Sequence, residues 1–163
     1  MLRSLVLLAV TALTLPAQAA PTTGTILIAH GGDSTWNAGV REVAAQVRTG
    51  GPVEVSFLMG PGAATARFQD AVAKLDAQGV ARIVIVPLLV SSHSGHYEQI
   101  RYLAGQDVQL DETMQHHLHH AGIARAQSRT PLVLTPALDG SIEMARVLAD
   151  RALAMVRAQG DEP

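Results

Sequence analysis

Two apolar runs in this chain end in histidine. Thr25-Ile26-Leu27-Ile28-Ala29 closes in His30-Gly31-Gly32, and the run from Arg82 to Val90 closes in Ser91-Ser92-His93-Ser94-Gly95-His96. Neutral imidazole binds borderline divalent ions and moves protons near neutral pH. Both runs read as buried strands, and the carboxyl ends of parallel strands share one edge where ligands bind. Two imidazoles delivered to that edge can hold a metal or transfer a proton. Gly31 and Gly32 remove bulk beside His30 and leave backbone amides near it. Ser91, Ser92 and Ser94 keep the second loop small and polar. Glu98 can orient His96, complete a metal shell or take a proton; it is equally an ordinary first-turn helix acid. The expected catalytic set is His30, His96 and Glu98. The expected metal ligands are His30, His96 and His93, and the expected substrate contacts are Gly31, Gly32, Ser92 and Gly95.

A second cluster is His116-His117-Leu118-His119-His120. If Asp111 caps a short helix, His116 and His120 stand one turn apart on one face, a spacing that chelates divalent ions. These histidines, with His117 and His119, are expected to serve as auxiliary metal capture, against the plainer reading of a solvated loop.

The elements that must position these residues alternate. A helix is expected from about Trp36 to Arg48, capped by Ser34 and stopped by Gly50-Gly51. Val53 to Phe57 is a short strand, Gly60-Pro61-Gly62 a turn, and Thr65 to Gln78 a second helix. The run from Arg82 is apolar on both faces, as for a strand covered by helices on each side. Tyr97 to Ala104 starts a third helix. Pro131 to Thr135 is a fourth strand, followed by a helix from Asp139 or Ser141 to near Ala158. The order βαβαβαβα implies right-handed crossovers and a mainly parallel sheet. The stretch from about 105 to 130 reads as a polar, irregular insert.

Residues 1–19 resemble a secretory leader: Arg3, the apolar run Leu5 to Leu15, Pro16, then Ala17-Gln18-Ala19. Residues 20–163 then form a single domain, exported to the periplasm or the exterior and with no membrane attachment after cleavage. The chain holds no cysteine, which excludes disulfides, thiolate metal sites and thiol nucleophiles. Its formal charge is −2, and no basic stripe supports nucleic-acid binding. A histidine phosphatase would carry arginine where Ala29 stands. An esterase would need a Gly-x-Ser-x-Gly elbow, which does not occur.

The two loops together resemble the class II tetrapyrrole chelatases, the CbiX/SirB-like sirohydrochlorin chelatases. The likeness runs from Thr25 to about Arg157. It is carried by Ile26 to Gly32, by Val86-Pro87-Leu88-Leu89-Val90 with Gly95-His96, and by Thr135-Pro136-Ala137-Leu138-Asp139. Gly32 and Ser94 depart from the family pattern. The resemblance implies a three-layer α/β/α lobe on a mainly parallel four-stranded sheet, with His30 and His96 as site histidines. It implies insertion of a divalent metal into sirohydrochlorin or a related tetrapyrrole: Co²⁺ first, with Ni²⁺, Fe²⁺ or Zn²⁺ as other substrates and no organic cofactor. Relatives with two lobes in one chain imply that this single lobe pairs as a homodimer. The alternative is an exported metal- or tetrapyrrole-binding protein on the same fold, without turnover.

Overall fold

The computed structural model describes residues 22–160; the expected leader, residues 1–19, lies outside them. Four strands, β1 (Thr23–Ala29), β2 (Val53–Phe57), β3 (Arg82–Leu88) and β4 (Leu132–Leu134), form one parallel sheet in the order β2-β1-β3-β4. The helices are α1 (Ser34–Gln46), α2 (Gly60–Ala63), α3 (Phe68–Ala77), α4 (Gly95–Leu103), α5 (Glu112–His120) and α6 (Ile142–Gly160).

The central strands β1 and β3 pair over their full length, from Thr23 beside Arg82 to Ala29 beside Leu88. The residues after Ala29 and after Leu88 therefore leave the sheet at one level. From there the chain turns toward β2 on one side and toward β4 on the other. Loops that diverge in this way open a crevice at the carboxyl edge.

On one face of the sheet, Ile26, Ile28, Ile83 and Ile85 are fully buried, each contributing about 1.5–3 kcal/mol. Helix α3 packs here, with Leu75 pressed so closely on Gly24 that a β-carbon would sit 3.0 Å from it. Gln69 of α3 donates to the Gly122 carbonyl (2.8 Å) and accepts from the Ala124 amide, which holds the end of α5 on the same face. On the other face, Trp36 of α1 lies 6.4 Å from the Phe57 ring.

Several expectations need correction. Asp33, not Ser34, caps α1, its carboxylate accepting from the Trp36 amide at 2.8 Å. The helix expected from Thr65 begins at Phe68, and Gly60-Pro61-Gly62 belongs to the short α2. Residues 105–130 are not an irregular insert. Asp111 caps α5 as expected, and Leu110, Leu118 and Ile123 enter the core. Leu118 within α5, with Leu110 before it and Ile123 after it, suffices to dock a helix that is otherwise mostly polar. Finally, β3 is covered on one face only. Ile83, Ile85 and Pro87 are buried, but Val84, Val86 and Leu88 are half-buried. Val133, beside Val84, is 46% exposed. Helix α1 covers the β1–β2 half of that face, and α6 leaves the β3–β4 half open.

The start of α6 is clasped to the β3–α4 loop. Leu138 and Asp139 amides donate to the carbonyls of Leu89 and Val90. The Asp139 carboxylate accepts from the Ser92 amide (2.7 Å) and hydroxyl (2.6 Å), and Ser92 Oγ accepts from the Ala137 amide. Asp139 adopts a φ of 44° to do so. The Ser92 hydroxyl and amide bonds, with a smaller contribution from His93, hold the Asp139 carboxyl below its ordinary pKa. A lowered native pKa stabilises fully above the unfolded value, about 3.9, and is lost as pH falls through the native one. We expect acid unfolding below about pH 3.9 to be shallower in Asp139→Asn than in the parent, measured by thermal melts across an acid series. Equal pH slopes would show that the clasp does not depend on the carboxylate.

Candidate metal-handling site

His30 and His96 meet. Their ring centroids are 4.5 Å apart and their planes 77° apart. His30 follows β1 directly, and His96 sits in the first turn of α4, so both hang over the crevice between the central strands. Two imidazoles bound to one ion at about 2.1 Å and at right angles have centroids ~4.5 Å apart.

The backbone fixes His30. Its carbonyl accepts from the Met59 amide at 2.9 Å, while the Leu58 amide donates to Ala29. The turn behind it is framed by the buried Asn37, which accepts from the Gly32 amide (3.0 Å) and donates to the Gly32 carbonyl (2.9 Å). Gly31 has a φ of 95°, and a β-carbon there would overlap the Met59 carbonyl oxygen. Only glycine fits this position.

Hydrogen bonds also fix which nitrogen of each ring is free. His30 Nδ1 lies 2.8 Å from the Gly31 carbonyl, which can only accept. Nδ1 therefore carries the proton and Nε2 the lone pair. His96 Nδ1 lies 3.0 Å from Gln99 Oε1. Gln99 is fully buried, and its Nε2 donates to the Met114 carbonyl at 2.8 Å. That bond sets the amide orientation, so Oε1 must accept from His96. Both rings thus keep Nε2 available as a ligand or base, the outer-shell arrangement that raises ligand basicity and fixes ring orientation.

Gln99 was absent from the expected set. The signal for it is a polar residue on the buried face of α4, three positions after His96 and next to Ile100. We expect Gln99→Leu to lower the rate of any metal transfer about 10–100-fold and stability by about 1–3 kcal/mol. ¹⁵N NMR of His96 would then show mixed tautomers. An unchanged tautomer with an unchanged rate would remove Gln99 from the site.

A third imidazole stands near. The His117 ring lies 6.3 Å from His96, stacked at 28°. Its Nδ1 is buried and makes no hydrogen bond among the described residues. His117 also lines a cavity of about 310 Å³ with Met59, Gly60 and Ala63. A cavity of about 810 Å³ is bounded by Tyr102, His116 and Arg125 and does not include the histidine pair.

The other expected residues lie elsewhere. His93 is exposed, with its charge acting on Asp139, and does not join the pair. Glu98 turns to Arg101, bonding its guanidinium at 3.0 and 3.1 Å; helical i, i+3 geometry favours that partner over His96. Ser92 faces Asp139. Gly95 lies against Met114, whose sulfur would be 3.1 Å from a β-carbon there. Its role is close packing of α4 on α5. His116 and His120 are exposed and stack 6.1 Å apart, as their spacing requires. Among the described residues, no three His, Asp or Glu side chains converge to enclose an ion. The pair is an open, two-nitrogen site.

The sequence matches the CbiX family over residues 24–154. No curated protein sequence matches it. The fold resembles the crystal structure of a CbiX protein from Marinobacter aquaeolei VT8, named for cobalamin (vitamin B12) biosynthesis. The TM-score is 0.57 at 15% identity, covering 85% of this chain and 98% of that one. The family match spans the sheet, both histidine loops and most of α6, and the chain accordingly belongs to the CbiX family of tetrapyrrole metal chelatases.

Proposed function

We propose that this chain inserts a divalent metal ion into sirohydrochlorin or a related tetrapyrrole, with Co²⁺ ahead of Ni²⁺ and Fe²⁺. The observation that carries this reading is the His30–His96 pair, two imidazoles 4.5 Å apart whose Nδ1 protons are both engaged in hydrogen bonds. In the proposed reaction a hydrated ion exchanges water for the two Nε2 atoms. With only two protein ligands the ion keeps open positions, and these accept the ring nitrogens. As it passes to the macrocycle, two pyrrole N–H protons are released. An imidazole freed of metal accepts one, and the other passes to the second imidazole or to solvent. No electron changes hands and no organic cofactor is required.

The test is to mix the protein with sirohydrochlorin and excess Co²⁺ and follow the visible spectrum, then to repeat with Ni²⁺ and Fe²⁺. Many equivalents of metallated product per protein support a chelatase. The exposed His116–His120 pair favours a second reading, an exported metal or tetrapyrrole carrier. A single stoichiometric change with no turnover would select it. Export itself is proposed from residues 1–19, and periplasmic recovery of a protein shortened at its N-terminus would support it.

A further inference from the structure

The histidines of α5 divide between two hollows. His116 and His119 line the cavity of about 810 Å³ with Arg125. His117 and His120, also three apart and so on one face of the helix, line the cavity of about 310 Å³. Met59 borders that second hollow, and the small Ala63, Ala64 and Ala121 leave it open. Its walls are pinned. The Met59 amide donates to the His30 carbonyl at 2.9 Å. At the start of α5 the Met114 carbonyl accepts from the buried Gln99, and just past its end the Gly122 carbonyl accepts from Gln69. Within these walls His117 Nδ1 is buried and has no hydrogen-bond partner among the described residues. Buried polar atoms are nearly always paired, so this one is short of a partner that an occupant of the cavity can be.

We propose that Met59, His117 and His120 form a second metal site, for a soft monovalent ion of the Cu⁺ type. The donor set selects the ion. Among the described residues no three His, Asp or Glu side chains converge, so a hard or borderline divalent ion finds only two nitrogens here. The third donor is a thioether, which is polarizable and, beside imidazole, favours Cu⁺. This ion is not the one handled by the His30–His96 pair, because a single positive charge cannot replace the two protons that leave a tetrapyrrole. The His117 ring lies 6.3 Å from His96, so a soft ion reaching the crevice is drawn off one ring away from the pair. The site stands whether or not the crevice turns over.

The probe is Ag⁺, a redox-stable stand-in for Cu⁺, titrated in chloride-free buffer and followed by calorimetry and by ¹³C-methyl methionine NMR. One tightly held ion per chain is expected, with the Met59 methyl resonance shifting on binding. Met59→Leu keeps the side-chain volume and the backbone bond to His30, and it should weaken that binding at least tenfold. His120→Ala, at an exposed position, should do the same without touching the core. Met155→Leu, at a methionine 67% exposed on α6, should change nothing, and His30→Ala, which disables the pair, should still show the Met59 shift. Cu⁺ kept reduced and competed against a chromogenic chelator should rank the variants in the same order. Three results would overturn the site: parent affinity in Met59→Leu, parent affinity in His120→Ala, or loss of the ion in His30→Ala.

Discussion

His30→Ala and His96→Ala each reduce metal insertion by at least about 10²-fold, while both variants stay folded. The first half of that expectation follows from the site's economy. In the proposed reaction two nitrogens hold the ion, and no third described carboxylate or imidazole converges to replace a lost one. Removing either leaves a monodentate site and takes away one of two proton acceptors. The second half follows from position. Both rings are only partly buried, and each makes its hydrogen bond locally, His30 to the next residue and His96 within one turn. Stability should change by about 0.5 kcal/mol or less in His30→Ala and fall by about 1–3 kcal/mol in His96→Ala, which leaves the buried Gln99 Oε1 without its donor. Insertion rate and thermal unfolding, measured on the same preparations, check both halves. Wild-type rates in both variants would reject the two-histidine mechanism. Acidification should mimic the substitutions, because an imidazolium cannot bind a metal.

The second large effect is expected from Gly31→Ala. A methyl group at this position would run into the Met59 carbonyl, and φ of 95° is costly for any side chain. The overlap cannot be relieved locally. The His30 carbonyl bonds the Met59 amide, so the two segments are already drawn together. The turn must open, costing about 3 kcal/mol, and His30 moves with it. Denaturant unfolding should show the loss of stability, and insertion activity should fall more than stability alone explains. Gly50→Ala is the control. It also replaces a glycine of positive φ, but with open space where the methyl would go. If both variants lose stability equally, the Met59 contact is not what requires glycine at position 31.

The strands and the meeting of His30 with His96 were legible because both follow from local pattern. Uninterrupted β-branched runs mark buried parallel strands, and adjacency of β1 and β3 brings their ends together. What stayed hidden depends on three-dimensional neighbours. Gln99 reads as one more polar helix residue until Met114 is seen to orient its amide. Glu98 looked like a partner for His96, yet an arginine three residues on offers a full charge at helical spacing. Residues 105–130 looked too polar to dock, because α5 spends so few apolar side chains on its contact. The open half of the sheet could not be read at all, since the sequence of β3 is that of a strand covered on both faces.

The Gln99–Met114 bond makes the histidine-rich helix a tuning device, whatever its own imidazoles do. Met114 belongs to α5, and its carbonyl alone tells the glutamine which way round to sit. With that instruction removed, the amide can invert and present hydrogens to His96, whose ring would answer by shifting its proton to the nitrogen that faces the incoming ion. An excision of α5 that spared every residue of the crevice would still leave some molecules greeting metal with a proton instead of a lone pair.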